Sequence, residues 1–406
     1  MASKSIRFLR GRSENGLVRL YIERGYPLYN NNSDVLNFRI YRKKEDGFLQ
    51  GSDYYEYFDA LNFKDADIIY TGPLTKQDRY YFVYTDSDVK LLDVYAYWVA
   101  YDNDSVPAGP LGIAVRDPEV WWTYERINQE MNRLYNIYSG EKKFKTFGYS
   151  TRKKEIKGLV IGNQEKCIGL IGVVHAGESG PELFLKAAAH IAINYPEVLS
   201  KVGLAILPDV NTDCREDMAT GTPQYLRCNP NGVDLNRNFD ANWEIIDYTY
   251  GLNTSILGSI TYRGPFVESE EETKATVNFI NTVKPKVIFC GHCLSSICSD
   301  CFLTAKEAKG NVEYEKKCME LITPYSNGFR DTEKEGVALH YGTTCGSIPA
   351  FAYKKYGIPA FDMEFRVVKD DKRERECISG KTTKDLLDEY IGYHTAGIIN
   401  VMKSMV

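Results

Sequence analysis

The segment that decides the fold runs from Gly172 to Phe184 and reads Gly-Val-Val-His-Ala-Gly-Glu-Ser-Gly-Pro-Glu-Leu-Phe. It follows an apolar, β-branched run, residues 168–174, that does not alternate with polar residues, which predicts a short buried strand. Glycine and proline residues then mark the end of that strand. His175 and Glu178 are therefore expected in the loop at its carboxyl end.

A second segment of the same kind reads Lys286-Val-Ile-Phe-Cys-Gly-His-Cys, so that another apolar strand ends at His292. Carboxyl ends of parallel strands share one edge of a sheet, which predicts that His175, Glu178 and His292 lie together. Two imidazoles and a carboxylate, with one position left open, form a ligand set typical of catalytic zinc. The remaining histidines are expected to be structural: His190, His340 and His394.

Length and composition indicate a globular protein with more than one domain. The chain has 406 residues, 43% of them hydrophobic, and a formal net charge of −5. This charge and the absence of a basic, aromatic module argue against a nucleic-acid partner. The N-terminus lacks the apolar region of a signal peptide and no segment reaches membrane-spanning length, so we expect a cytoplasmic protein without a membrane partner. The sequence does not specify an oligomeric state.

The chain divides into two parts by its hydrophobic pattern. Residues 1–105 are rich in tyrosine and contain short alternating strands, which predicts a β-sandwich-like domain. Residues 106–116 are rich in turn-forming residues and are predicted to be a linker. In residues 117–406 strands alternate with helices, which predicts an α/β domain with a mainly parallel mixed sheet covered by helices.

Four cysteines surround the second strand end, and two interpretations of them stay open. Cys290, Cys293, Cys298 and Cys301 have spacings that a structural zinc site could use. Buried free thiols explain the same positions, because these cysteines occur in or beside apolar runs.

Between the candidate ligands lies the segment Asn-Pro-Asn-Gly-Val-Asp-Leu-Asn-Arg-Asn-Phe, residues 229–239. With the His-x-x-Glu motif and the distant histidine, it resembles the zinc carboxypeptidase family, the M14 metallopeptidases. The resemblance implies that Asn236 and Arg237 bind the C-terminal carboxylate of a substrate. A guanidinium suits this role because it donates two parallel hydrogen bonds to a carboxylate. It also implies that Asp234 orients His175, and that Arg227 stabilises the oxyanion.

Further residues follow from the same resemblance. Tyr341, which precedes a Gly-Ser pair, corresponds to a tyrosine that closes over the substrate, and Ile348 to a residue that lines the pocket for the terminal side chain. In the segment Pro-Ala-Phe-Asp-Met-Glu, residues 359–364, Glu364 corresponds to the catalytic glutamate. Asp362 lies on the same predicted face and is the alternative base. An apolar Ile348 predicts that basic C-terminal residues are poor substrates.

The sequence thus predicts a metallocarboxypeptidase with one Zn²⁺ per chain. A zinc-activated water, with Glu364 as general base, would hydrolyse the C-terminal peptide or isopeptide bond of a peptide or protein. Two alternatives remain: an N-acyl amino acid deacylase with the same zinc site, and a non-catalytic binding protein. The β-rich region before the catalytic domain is similar to the arrangement in the cytosolic carboxypeptidase branch.

Overall fold

The structure is a computed structural model that describes residues 5–25, 33–49, 52–77, 81–102, 104–248, 252–293, 301–328, 339–342, 345–365 and 381–406. The chain forms two compact units. The first consists mainly of residues up to Trp121 together with Asp217–Tyr225, and the second contains most of the remaining chain.

The first unit is built from antiparallel strands in two sheets. A three-stranded sheet has the order β1-β2-β5 and a four-stranded sheet has the order β4-β3-β6-β7. Apolar residues alternate along β2, where Val18, Leu20 and Ile22 are fully buried, and they pack with Phe38 and Ile40 of β3 in one core. The predicted all-β sandwich is confirmed. The strands are β1 (Ile6–Glu14), β2 (Leu17–Arg24), β3 (Val35–Lys44), β4 (Asp67–Thr75), β5 (Tyr81–Asp86), β6 (Val94–Tyr101) and β7 (Ala108–Ala114), and a short helix is α1 (Tyr54–Asp59).

The structure differs from the linker prediction for residues 106–116. Most of this segment is strand β7, which pairs with β6 at the edge of the four-stranded sheet. Proline is tolerated at a sheet edge, where a missing N–H does not interrupt the pairing. Gly109 has φ +127 and lies so close to Tyr97 and Trp98 that a Cβ atom would clash. The turn-forming residues therefore belong to an irregular edge strand.

The second unit contains an eight-stranded mixed sheet with the order β14-β13-β15-β12-β10-β11-β9-β8. Four adjacent strands are parallel to one another, in the order β15, β12, β10 and β11. Strand β9 pairs antiparallel with β11 on one side and with β8 on the other. The strands are β8 (Lys142–Tyr149), β9 (Glu155–Ile161), β10 (Cys167–Ile171), β11 (Gly203–Leu207), β12 (Val287–Gly291), β13 (Cys301–Thr304), β14 (Leu339–Tyr341) and β15 (Ala360–Glu364).

Helices contact this sheet, and its central strands β10, β11 and β12 are buried along their whole length. This pattern follows from sequence, because a strand covered on both faces is apolar without alternation. The predicted α/β class is confirmed. The helices are α2 (Tyr124–Ile137), α3 (Pro181–Asn194), α4 (Pro196–Leu199), α5 (Thr212–Ala219), α6 (Glu271–Val283), α7 (Val312–Ser326), α8 (Ile348–Tyr356) and α9 (Lys384–Ser404). Within the described residues, none of the helices is both long and apolar enough to span a membrane.

The register of the central strands determines where the site forms. Strands β10, β12 and β15 are neighbours and run in the same direction, with Ile171 opposite Cys290 and Cys290 opposite Asp362. Their carboxyl ends therefore lie side by side. The residues that follow or end these strands include His175, His292 and Glu364.

Candidate metal centre

His175, Glu178 and His292 meet at the carboxyl edge of the sheet. Oε2 of Glu178 lies 2.9 Å from Nδ1 of His175 and 2.7 Å from Nδ1 of His292. One ligand atom from each residue lies within 4.8 Å of the others, and all three residues are at most 2% exposed. Among the described residues, this is the one group of at least three metal-binding side chains.

The loop that carries His175 and Glu178 is held by close backbone packing. Val173 adopts a left-handed conformation, with φ +54. A Cβ atom on Gly172 would lie 2.4 Å from Cα of Gly180, so the two ends of the loop approach too closely for larger residues. Ser179 donates from its hydroxyl to the His292 carbonyl at 2.6 Å and thereby links the two ligand segments.

Each candidate histidine ligand has a carboxylate next to its Nε2 atom. Nε2 of His175 lies 3.0 Å from Oδ1 of Asp234, and Nε2 of His292 lies 3.3 Å from Oδ1 of Asp362. A carboxylate that accepts the Nε2–H of an imidazole leaves the lone pair on Nδ1 for a metal. Both rings therefore present Nδ1 to the same point, next to Glu178.

The charges around this point favour a cation. Burial alone would raise the pKa of Glu178, but the charges of His175 and His292 and their hydrogen bonds outweigh it and hold the pKa well below its usual value. Burial would likewise raise the pKa of Asp234, whereas Arg227, Arg237 and His175 lower it below its usual range. A buried, ionised carboxylate requires compensating positive charge, which protonated imidazoles supply here and which a bound cation would supply to neutral ones.

The residues present fit a zinc ion. Zinc accepts two imidazole nitrogens and a carboxylate oxygen and keeps a further position open at catalytic sites. The short distances between ligand atoms, their burial and the carboxylates behind both rings are the features such a site needs.

Asp234 organises a set of donors next to the metal-ligand cluster. Its Oδ2 atom accepts hydrogen bonds from Nε of Arg227 at 2.9 Å and from Nη2 of Arg227 at 2.8 Å. Its Oδ1 atom accepts from the backbone N–H of Asn236 at 3.0 Å. Arg237 is 2% exposed, and its Nε atom has no hydrogen-bond partner among the described residues. A buried guanidinium with an unused donor is a ready site for an anion.

The side chain of Asn236 has two fixed partners. Its Nδ2 atom donates to Oδ2 of Asp362 at 2.9 Å, and its Oδ1 atom accepts from the backbone N–H of Ile348 at 3.0 Å. The side chain of Ile348 is fully buried in a core cluster that includes Leu235 and Phe239. This differs from the prediction that Ile348 lines a substrate pocket. The first turn of α8 faces the core, so Ile348 contributes its backbone to the site.

Glu364 ends strand β15 beside the metal-ligand cluster. Its Oε2 atom accepts a hydrogen bond from the thiol of Cys293 at 3.1 Å. Burial raises the pKa of Glu364, the charge of His292 lowers it and that of Glu178 raises it further, so that the net direction is upward. Asp362, the alternative base, is instead engaged with His292 and Asn236.

Two other sequence predictions have different outcomes. The hydroxyl of Tyr341 donates to the carboxylate of Glu315 on α7, and its closure over a substrate stays a prediction. Cys290, Cys293 and Cys301 are buried thiols, whereas Cys298 lies outside the described residues.

Sequence reasoning missed Arg215 and Glu182. Arg215 forms hydrogen bonds with the loop that carries His175 and Glu178, and Glu182 pairs with Arg215. Arg215 is fully buried and donates from Nη1 to the carbonyl oxygens of Ala176 at 3.2 Å and Glu178 at 3.1 Å. Its Nη2 atom is hydrogen-bonded to the carboxylate of Glu182, which is also buried. No motif distinguishes these two charged residues from exposed ones on a helix.

Fold and site together define a metal centre at the carboxyl edge of a mixed α/β sheet. The family model described as zinc carboxypeptidase matches residues 127–376, which is more than half of the chain. The chain belongs to the zinc carboxypeptidase family.

Known proteins resemble the chain over different lengths. Mast cell carboxypeptidase A from Rattus norvegicus is 45% identical over 69 residues, which cover 15% of this chain and 16% of that protein. The mouse protein of the same name, from Mus musculus, is 47% identical over 62 residues, or 14% of each chain. The chain thus matches these relatives over only a small part of their length.

Solved structures resemble the chain more extensively. Bovine thrombin-activatable fibrinolysis inhibitor, solved with tick carboxypeptidase inhibitor, aligns with a TM-score of 0.55 and 18% identity over 71% of this chain and 98% of that one. Carboxypeptidase A from Helicoverpa armigera aligns with a TM-score of 0.54 and 12% identity over 91% and 98% of the two chains. At these identities the likeness establishes the fold.

Proposed function

We propose that the protein is a zinc-dependent metallocarboxypeptidase that hydrolyses the C-terminal peptide or isopeptide bond of a peptide or protein. The observation that carries the proposal is the convergence of His175, Glu178 and His292 next to two further groups. These are Glu364, a carboxylate with a raised pKa, and Arg237, a buried guanidinium with an unused donor.

Arg237 and Asn236 are the proposed binding groups for the terminal carboxylate of the substrate. The buried guanidinium of Arg237 offers charge-assisted hydrogen bonds, which are stronger than neutral ones. Asn236 is held by Asp362 and Ile348, so its remaining Nδ2 hydrogen has a fixed direction. A substrate anchored by its carboxylate places its last peptide bond at a constant distance from the metal ligands.

The proposed chemistry is hydrolysis with Glu364 as general base and then general acid. When bound, zinc supplies Lewis acidity, which polarises a carbonyl oxygen and makes water a stronger nucleophile. Glu364 accepts the proton that the attacking water loses, and a new carbon–oxygen bond forms. The carbon–nitrogen bond then breaks, and Glu364 delivers the proton to the departing nitrogen. Arg227 stabilises the negative charge that develops on the carbonyl oxygen.

Metal analysis combined with a peptide assay tests the proposal. We expect about one zinc per purified chain and release of single C-terminal residues from a panel of peptides. A chelator should abolish the release, and added zinc should restore it. Well-folded protein without zinc affinity would contradict the proposal.

The same assay separates the deacylase alternative. N-acetyl and N-succinyl amino acids are tested beside peptides of matched C-terminal residue. Faster turnover of the acyl amino acids would replace the peptidase assignment by a deacylase. Bound zinc without turnover of either class would support a binding protein.

A further inference from the structure

We propose that Asp362 is a positioning residue that couples the metal ligand His292 to the substrate-binding side chain of Asn236. The proposal rests on the proposed function for the role of Asn236, but its metal-binding half does not depend on it. Nothing in the sequence pattern separates this role from that of a second candidate base.

The two oxygens of Asp362 contact two different groups. Oδ1 lies 3.3 Å from Nε2 of His292, an ion-pair contact outside hydrogen-bond geometry, and Oδ2 accepts a hydrogen bond from Nδ2 of Asn236 at 2.9 Å. Asp362 is 6% exposed, and Asn236 and His292 are buried as well. The backbone holds this arrangement, because β12 and β15 are paired in parallel and the N–H of His292 donates to the Met363 carbonyl at 3.3 Å.

The contact with His292 selects the tautomer of the imidazole. A carboxylate next to Nε2 favours the proton on that nitrogen, which leaves the lone pair of Nδ1 for a metal. Nδ1 is the atom that lies 2.7 Å from Glu178. Asp362 thus acts on His292 through its charge, whereas Asp234 acts on His175 through a hydrogen bond of 3.0 Å.

The contact with Asn236 selects the orientation of its amide. In the observed orientation, Oδ1 faces the N–H of Ile348 and Nδ2 faces the carboxylate of Asp362. A flipped amide would place its oxygen against a carboxylate and its NH₂ group against an N–H, and both contacts would be repulsive. Asp362 and Ile348 therefore direct the second Nδ2 hydrogen to one place, where a substrate carboxylate can accept it.

Two substitutions separate these contacts. Asp362→Ala removes both, whereas Asp362→Asn can keep an acceptor for His292 but cannot offer acceptors to both neighbours. We expect Asp362→Ala to weaken zinc binding about 10- to 100-fold, the usual effect of losing an outer-shell partner, measured by competition with a chromophoric chelator. Asp362→Asn should retain most of the zinc affinity.

The second measurement concerns the substrate carboxylate. At saturating zinc, Asp362→Asn should raise KM for a peptide acid about 2- to 10-fold, as expected for one lost hydrogen bond, with a smaller change in kcat. Its preference for a peptide acid over the corresponding C-terminal amide should fall. A general loss of structure would not produce this selective change, and circular dichroism of both variants monitors folding.

The matched control is Asp234→Asn, which alters the carboxylate behind His175 but leaves the Asp362–Asn236 contact in place. We expect it to affect zinc affinity more than Asp362→Asn does. If folded Asp362→Ala binds zinc as tightly as the wild type, the coupling role is refuted. Unchanged discrimination between acid and amide in Asp362→Asn would refute the substrate half. If the wild-type protein binds zinc but cleaves no peptide, the proposed function fails while the zinc measurement still tests the His292 contact.

Discussion

Replacement of Asp209 by asparagine is predicted to change how stability depends on pH. Asp209 follows β11 and is 6% exposed. Burial raises its pKa from 3.8 to about 7, with Glu182 adding to the rise and with Thr212, Arg215 and Lys154 opposing it. The folded protein therefore holds this proton at pH values where the unfolded chain has released it.

The sign and magnitude follow from this difference. The contribution of Asp209 to stability is fully present below about pH 4 and is lost as the pH rises to about 7. Each unit of pKa difference corresponds to about 1.4 kcal/mol, so the contribution falls by up to about 4 kcal/mol across the whole titration and by about 3 kcal/mol between pH 5 and pH 8. Asparagine has no proton to lose and should remove this part of the pH dependence.

Guanidinium unfolding of the zinc-loaded protein at pH 5 and pH 8 provides the assay. Relative to the wild type, Asp209→Asn should gain about 3 kcal/mol in free energy of unfolding between the two pH values. Glu320→Gln, on the exposed side of α7, is the control and should follow the wild type. Parallel curves for the wild type and Asp209→Asn would refute the reasoning, because they would show that Asp209 does not hold a proton in the folded state.

Glu364→Gln should keep zinc and lower kcat by about two to four orders of magnitude, measured under single-turnover conditions, since the amide cannot accept a proton. Retention of more than about a tenth of the activity would require another base. His175→Ala should lose the metal, which elemental analysis of the purified protein detects. Arg237→Gln should lower kcat/KM for peptide acids about 10- to 100-fold through loss of charge-assisted hydrogen bonds, whereas amides should be affected less. Glu315→Ala removes the acceptor of the Tyr341 hydroxyl, releases Tyr341 from its contact with α7 and should lower KM in steady-state assays; an unchanged KM would contradict a binding role for Tyr341.

Local pattern in the sequence was sufficient for the fold class, and together with the family resemblance it predicted the group of side chains that could hold a metal ion. Buried strands β10 and β12 are apolar throughout, and each is followed by a histidine within a few residues, so periodicity alone predicts a common sheet edge. His175 and Glu178 are close because they belong to one loop. The family resemblance then linked Asp234, Arg237 and Glu364 to this edge, and the structure describes all three near the ligands or bonded to their neighbours.

Tertiary structure alone decided which polar groups support the site. Asp362 contacts His292 and Asn236 because β15 pairs with β12 in a particular register. The hydrophobic pattern of one strand does not specify which strand pairs with it or in which register. Arg215 reaches two carbonyl oxygens of the ligand loop from α5, and Ile348 turns its side chain into the core while its N–H holds Asn236. The sequence by itself therefore predicted the main elements of the α/β domain and the candidate metal-binding residues, which local hydrophobic patterning and short motifs encode, but not the edge strand β7. The hydrogen-bond partners behind them depend on packing between segments far apart in the chain.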